Sequence, residues 1–117
     1  LMKYLMYVGW PDIIVLTDTR TTIKGFHGIP TSYEVFEAYS SSSKRGVAIL
    51  VKDIFKPKLV LANNSGNLCY VQIRRGCSVI DILGTYGPNE DNPNFYACEL
   101  LPLIGSKSTI IIGDLNL

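Results

Sequence analysis

Short, continuously apolar runs that each end in polar residues constrain the fold of this chain more than any other feature. The clearest run lies at the end of the sequence, where Thr109 to Ile112 are β-branched and are followed by Gly113, Asp114 and Asn116. Such a run is typical of a strand covered on both faces inside an α/β sheet. Ligands of open α/β sheets bind at the carboxyl ends of the strands. The sequence therefore predicts a buried strand that carries Asp114 and Asn116 at a functional edge.

Similar runs recur along the chain. Strands are predicted over residues 12–17, 33–39, 46–51, 58–62, 68–73 and 78–84, and the composition of segments 63–66 and 74–77 is typical of hairpin turns. Apolar spacing predicts helices over residues 1–8 and from Pro93 to about Ile104. An antiparallel meander is the simplest arrangement of the central strands. The order of elements predicts an α/β or α+β domain whose sheet is covered by helices.

Composition favours one globular domain and gives no strong sign of a partner. The 117 residues are 47% hydrophobic, which is enough for a core, and the formal net charge is +1. Because no global basic field exists, contacts to phosphate must come from local patches. The basic pairs Lys44-Arg45 and Arg74-Arg75 are candidates, although basic residues at hairpins commonly serve only to keep a sheet edge soluble. We expect that simpler role for Arg74-Arg75 and leave both roles open for Lys44-Arg45.

The cysteines and the apolar N-terminus exclude several classes of protein. Cys69, Cys77 and Cys98 lack C-x-x-C spacing and are odd in number, so neither a metal knuckle nor a secreted disulfide framework is expected. Cys69 and Cys77 could face each other across a hairpin, but two buried apolar thiols in a reducing compartment are the favoured interpretation. Residues 1–10 are too short to span a bilayer and do not form a convincing signal peptide. No membrane association is expected.

Polar side chains at three predicted strand ends suggest metal-assisted phosphoester chemistry. Asp18 follows one strand, Tyr86 and Asn89 follow another, and Asp114 and Asn116 follow the last. Carboxylate and amide oxygens suit Mg²⁺, which commonly uses one or two protein carboxylates and keeps several waters. In such a site a metal ion neutralises developing charge, a carboxylate orients water, and amide and phenol groups hold phosphate oxygens. Each of these residues alone is an ordinary turn or capping residue, and only their ordered set favours the functional interpretation.

Four motifs in order resemble those of the endonuclease/exonuclease/phosphatase superfamily. They cover residues 11–20 (PDIIVLTDTR), 46–50 (GVAIL), 84–89 (GTYGPN) and 111–116 (IIGDLN). They are most similar to the apurinic/apyrimidinic-type endonuclease domain of non-LTR (LINE-type) retrotransposons. The resemblance implies an incomplete four-layered α/β sandwich of the DNase I type, which we expect to consist largely of one mixed or antiparallel sheet with flanking helices. It also implies a Mg²⁺- or Mn²⁺-dependent hydrolase that nicks target DNA.

The resemblance assigns a role to each candidate residue. It implies that Asp18 binds the metal, that Arg20 and Asn89 bind substrate, and that Tyr86, Asp114 and Asn116 are catalytic. DNA and the remainder of a larger polypeptide with a reverse transcriptase are the implied partners. The implied location is intracellular, with action in the nucleus.

The sequence also departs from the family pattern. Asp18 stands where the family has Glu, which shortens the ligand by one methylene group. The family's first strand with its Asn would lie before Leu1 and its Asp-His pair after Leu117, and His27 is expected to be a solvated loop residue. We therefore expect residues 1–117 to be a partial, poorly soluble domain with little or no hydrolytic activity. A non-catalytic module that binds nucleic acid or a partner, and a phosphatase of the same superfamily that acts on an inositol phosphate, a sphingolipid or RNA, are the alternatives.

Overall fold

The strands form two stacked sheets in the computed structural model, which describes residues 2–25, 27–90, 92–105 and 108–117. The helix α1 spans Met2–Val8 and ends at Gly9, whose φ of 88° is a left-handed conformation and whose amide donates to the Leu5 carbonyl at 3.1 Å. Seven strands follow: β1 Ile13–Thr17, β2 Tyr33–Ala38, β3 Val47–Lys52, β4 Lys58–Ala62, β5 Leu68–Arg75, β6 Ser78–Tyr86 and β7 Thr109–Asp114.

The first sheet has three antiparallel strands in the order β1-β3-β2. The central strand β3 has five consecutive fully buried residues, Val47 to Val51, because the sheet is covered on both faces. Thr17 at the end of β1 pairs with Val47 at the start of β3. The loops after β1 and before β3 therefore leave the sheet at the same end.

The second sheet has four strands in the order β4-β5-β6-β7. The first three form the predicted antiparallel meander, whereas β7 runs parallel to β6. A parallel neighbour needs a crossover connection, and here the crossover contains a π-helical segment, Phe95–Leu100, and a 3₁₀ turn, Leu101–Leu103. A further 3₁₀ turn, Asp53–Phe55, leads from β3 toward β4.

Three apolar clusters hold four layers together. The largest fills the space between the sheets, where side chains of β3 meet side chains of β5 and β6; it contains Ala38, Val47, Ile49, Val51, Cys69, Val71, Ile73 and Ile82. The outer face of the first sheet packs against Leu5 of α1. The outer face of the second sheet packs against Phe95 and Leu100 of the π-helical segment. The layers are thus helix, sheet, sheet and helical segment.

The expectation of largely one sheet with flanking helices is wrong. The division falls between β3 and β4, and the second sheet is the larger of the two. The described residues contain one α-helix, of seven residues, so the helical layers are thin. Consecutive buried strands give the same sequence pattern whether they pair edge to edge or stack face to face, which is why the sequence did not separate the two sheets.

Two local predictions also need correction. Strand β7 was expected to be buried, but Ile110, Ile111 and Ile112 are 45%, 41% and 39% exposed because β7 lies at the edge of its sheet. Cys69 is buried opposite Gly84, whereas Cys77 is exposed in the β5–β6 turn, so the two thiols do not form a buried pair. Cys98 is exposed as well, and all three cysteines are free. His27 is exposed in a turn, as expected.

Candidate functional site

The predicted site residues leave their strands at one end of the sandwich. Asp18 follows β1, Tyr86 ends β6, and Asp114 ends β7. Because β6 and β7 are parallel and in register, Tyr86 and Asp114 are direct pairing partners. The loop before β3 and the start of β5 lie at the same end, since Val47 pairs with Thr17 and Leu68 pairs with Thr85. The expected convergence of strand ends is therefore present.

A cavity of about 370 Å³ lies at this end of the molecule. Four of the six predicted site residues line it together: Asp18, Arg20, Tyr86 and Asn89. The remaining lining comes from Ser43, Lys44, Arg45 and Glu90. Three cationic and two anionic side chains thus surround the cavity, which gives it a small positive excess. Arginine, lysine and neutral donors are the groups that hold phosphate oxygens in proteins.

Asp18 and Arg20 form a two-point ion pair in this cavity. The Nε of Arg20 donates to Oδ1 of Asp18 at 3.2 Å, and Nη2 donates to Oδ2 at 3.3 Å. Hydrogen bonding to the Asp18 carboxylate and its negative charge raise the pKa of Arg20 above its usual value. Both residues have positive φ, 55° and 61°, so the chain turns sharply on either side of Thr19. Side chains two positions apart are thereby brought into contact.

The turn after β6 is fastened to the end of β7. The Gly87 amide donates to the Asp114 carbonyl at 2.7 Å, and Nδ2 of Asn116 donates to the Gly87 carbonyl at 2.6 Å. The Asn116 amide in turn donates to Oδ1 of Asp114 at 2.9 Å. A Cβ at Gly87 would overlap the Leu115 carbonyl, so only glycine allows this approach. Asn116 therefore fixes both the turn and the Asp114 carboxylate.

The structure does not place all six predicted residues around one cavity. The lining formed by the described residues contains neither Asp114 nor Asn116, which lie next to it through their bonds to the turn after Tyr86. Asp114 is exposed, and so is Asn116. Their assigned roles, and those of the other four residues, stay predictions.

Sequence reasoning missed three residues at the site. Glu90 and Ser43 line the cavity beside predicted residues. Asn67 is 5% exposed and holds Tyr86 in place, because its Nδ2 donates to the Tyr86 carbonyl at 2.6 Å and its carbonyl accepts the Tyr86 amide at 2.8 Å. Glu90 could have been found from its position directly after Asn89. Asn67 carried no such signal, since it lies beside a turn rich in Asn and Ser.

The side chains present do not fit a resident metal ion. Both oxygens of Asp18 already accept hydrogen bonds from Arg20, and the positive guanidinium opposes a second cation at the same carboxylate. Across residues 2–25, 27–90, 92–105 and 108–117, no group of three or more His, Cys, Asp and Glu side chains is placed to hold a metal. Mg²⁺ requires near-ideal octahedral oxygen geometry, which a shortened and already paired carboxylate does not offer. The described residues therefore do not form a metal site by themselves.

The fold matches those of several solved structures, two of which are endonucleases. The endonuclease domain of TRAS1, a telomere-specific non-LTR retrotransposon, aligns with a TM-score of 0.66 and 20% identity over 98% of this chain and 52% of that chain. The AP endonuclease LMAP from Leishmania major aligns with a TM-score of 0.69 and 13% identity over 99% and 49%. Truncated TDP2 of Caenorhabditis elegans aligns with a TM-score of 0.64 and 20% identity over 99% and 53%.

These matches confirm the predicted resemblance at the level of the fold. The chain spans about half the length of each of the three structures. It therefore has a partial DNase I-type fold, the fold of endonuclease domains. No protein-family model matches the sequence. Within the part of the chain that the structure describes, no helix is long and apolar enough to cross a membrane.

Proposed function

We propose that this chain is part of a DNA endonuclease domain and that the cavity at the strand ends receives a DNA phosphodiester. The observation that carries the proposal is the meeting of Asp18, Arg20, Tyr86 and Asn89 around one cavity in an endonuclease-type fold. Nicking of target DNA for retrotransposition, a linked reverse transcriptase and a nuclear site of action are the finer parts of the proposal. They are supported by the sequence resemblance and by the similarity to the TRAS1 domain.

The proposed roles follow from the chemistry of each side chain. Arg20 is always charged and donates to phosphate oxygens, and Tyr86 and Asn89, at and just after the end of β6, add neutral donors to the same cavity. Asp114, exposed beside Tyr86, orients the water that attacks phosphorus. Asn116 acts through Asp114 and is a positioning residue, since its amide holds the Asp114 carboxylate. Mg²⁺ or Mn²⁺ remains the cofactor implied by the resemblance.

A second function, binding without turnover, is favoured by one specific observation. The carboxylate of Asp18, which the resemblance assigns to the metal, is instead paired with Arg20. A domain of this kind would retain DNA but release it uncut. The pairing of Asp18 with Arg20 is also consistent with the expectation that residues 1–117 have little hydrolytic activity.

Nicking of supercoiled plasmid separates the two functions. The protein is incubated with plasmid in Mg²⁺, in Mn²⁺ and in chelator, with Asp114→Asn as the test variant and Asp53→Asn as a matched control, because Asp53 lies in the 3₁₀ turn after β3. The endonuclease proposal expects slow but detectable relaxation of plasmid by residues 1–117 and by the control, and relaxation at least about 100-fold slower with Asp114→Asn. Nicking that is equal in Asp114→Asn would refute the assigned role. Absence of nicking by a folded protein that retains plasmid would favour the binding function.

A further inference from the structure

The Asp18–Arg20 pair is fixed by the backbone around it. The Arg20 amide donates to the Arg45 carbonyl at 2.6 Å and the Thr19 amide donates to the Gly46 carbonyl at 3.2 Å. These bonds continue the β1–β3 pairing beyond its last strand residues. Arg20 is therefore anchored to the loop before β3 as well as to Asp18.

Left-handed backbone conformations concentrate at this cavity. Seven described residues other than glycine have positive φ, and four of them line the cavity: Asp18, Arg20, Ser43 and Arg45. Each such residue costs on the order of 1 kcal/mol relative to an ordinary conformation, and residues of this kind cluster at functional sites. The hydrogen bonds between the two loops hold the strained conformations in place. The result is a preformed arrangement of three cationic side chains.

Close packing of glycines leaves this arrangement little freedom. Gly46 has φ of 112°, and a Cβ there would overlap the Thr19 hydroxyl. The Gly46 amide donates to the Gly66 carbonyl at 3.0 Å, and a Cβ at Gly66 would lie 2.9 Å from the Gly46 nitrogen. The loops after β1, before β3 and before β5 thus meet backbone to backbone. The loop before β3, which carries Lys44 and Arg45 and which we call the cationic loop, is therefore held against both sheets.

The charges of the cavity favour an anion once Asp18 is paired. Asp18 is neutralised by Arg20, which leaves Lys44 and Arg45 opposite the single carboxylate of Glu90. A guanidinium has five N–H donors, and only two of those on Arg20 point at Asp18. The others, on a side chain that is 72% exposed, are free to bind a ligand. A phosphate diester has the charge and the oxygen acceptors to receive them.

We propose that Asp18 is a positioning residue for Arg20 rather than a metal ligand, and that this cavity binds a nucleic-acid phosphate without a divalent cation. The choice of DNA as the ligand rests on the proposed function. In this proposal Asp18 orients Arg20 and does not bind the metal, which is the role that the resemblance implies for it. Arg20, Lys44 and Arg45 supply the positive charge, and Asp18 sets the direction of the guanidinium.

Binding of fluorescein-labelled duplex DNA, followed by anisotropy, tests the proposal directly. We expect the Kd in chelator to lie within about threefold of the Kd in millimolar Mg²⁺ at equal ionic strength. Arg20→Ala should weaken binding roughly 10-fold and reduce the slope of log K against log salt by about 0.9, the effect of one lost phosphate contact. Arg74→Ala is the matched control, because Arg74 is exposed near the β5–β6 turn at the other end of the sandwich. It should leave the Kd nearly unchanged.

Mn²⁺ binding, followed by electron paramagnetic resonance, tests the role of Asp18 independently of DNA. The unaltered protein and Asp18→Asn should bind Mn²⁺ equally weakly. Arg20→Ala frees the carboxylate, so it should bind Mn²⁺ more tightly, and the double variant Arg20→Ala/Asp18→Asn should lose that gain. Circular dichroism confirms that each variant is folded.

The possible outcomes separate this proposal from the proposed function. DNA binding that requires Mg²⁺ and is lost in Asp18→Asn would overturn the cation-independent phosphate site, and so would Mn²⁺ binding by the unaltered protein that Asp18→Asn abolishes. A folded protein that binds no DNA in either condition would also overturn it. Plasmid nicking tests the proposed function separately. A protein that nicks plasmid in Mg²⁺ but does not bind DNA in chelator would support the endonuclease function and would refute the cation-independent phosphate site.

Discussion

Gly84 offers the sharpest test of how the two sheets pack. It lies in β6 and faces β3 across the central core, where a Cβ would come within 2.8 Å of Val47 Cγ1 and 3.2 Å of Ile49 Cδ1. Gly84→Ala therefore overfills the core, at a cost of about 1–3 kcal/mol. Alanine also lowers the conformational entropy of the unfolded chain, which stabilises the folded state by about 0.4–1 kcal/mol. We expect a net loss of about 1–2 kcal/mol in the free energy of unfolding.

A second substitution supplies the missing space. Val47→Ala removes two methyl groups from a fully buried position, at about 0.8 kcal/mol each plus the cost of a cavity, or about 2 kcal/mol in all. In the double variant Gly84→Ala/Val47→Ala, the methyl group added in β6 occupies the space that the valine side chain has left in β3. The double variant should therefore be about 1 kcal/mol more stable than the sum of the single losses predicts.

Urea denaturation of the four proteins, followed by circular dichroism, measures this coupling. The midpoints should shift while the slope of unfolding free energy against urea stays constant. Gly25→Ala is the matched control, because a Cβ there has no atom within 4 Å and the residue has no positive φ. It should change stability by no more than about 0.5 kcal/mol. Losses that add to within about 0.3 kcal/mol would show that Gly84 does not face Val47.

Two further variants and two treatments probe the core, the support of Tyr86 and the buried thiol. Phe95→Ala should lower the free energy of unfolding by about 3–5 kcal/mol, measured by urea denaturation, because the ring is 1% exposed beneath the second sheet. Asn67→Ala leaves the Tyr86 carbonyl without its partner and should cost about 1–3 kcal/mol in the same assay, and a loss below about 0.5 kcal/mol would contradict that bond. Burial raises the pKa of Cys69 to about 12, so this thiol should resist iodoacetamide at pH 8 while both exposed cysteines react, as mass spectrometry would show. Because the folded thiol binds its proton more tightly than the unfolded one, its contribution to stability is complete below pH ~9 and is lost as pH rises toward ~12, which pH-dependent melting would detect.

Local signals allowed much of the secondary structure to be predicted. The hairpin turn before Leu68 follows from its Asn, Ser and Gly content, and β3 follows from its unbroken apolar run, since both signals act within a few residues. The exposure of Ile111 could not be predicted, because an apolar strand has the same sequence at the centre and at the edge of a sheet. Position in the sheet depends on contacts between segments far apart in the chain.

The candidate site was predictable in outline for the same reason. Polar residues directly after strands predict the end of the sandwich at which the cavity lies, and Tyr86 and Asp18 line that cavity. The pairing of Asp18 with Arg20 depends on left-handed conformations at both residues, and nothing in the composition of that segment indicates them. The contribution of Ser43 depends on contact between separate loops, which sequence spacing does not encode.

Because β7 is an edge strand that pairs in parallel with β6, we expect the side of the site that it forms to open more readily than the side formed by the loop before β3. An edge strand joined through a long crossover closes late in folding, because the entropy of loop closure must be overcome before its hydrogen bonds form. We expect the same strand to open at a free energy below that of global unfolding, since its residues are mostly exposed. Asp114 should then detach and return while the cationic loop, anchored on the fully buried β3, stays in place. The proposed binding of phosphate and the proposed orientation of water would then depend on two parts of the fold that differ in stability.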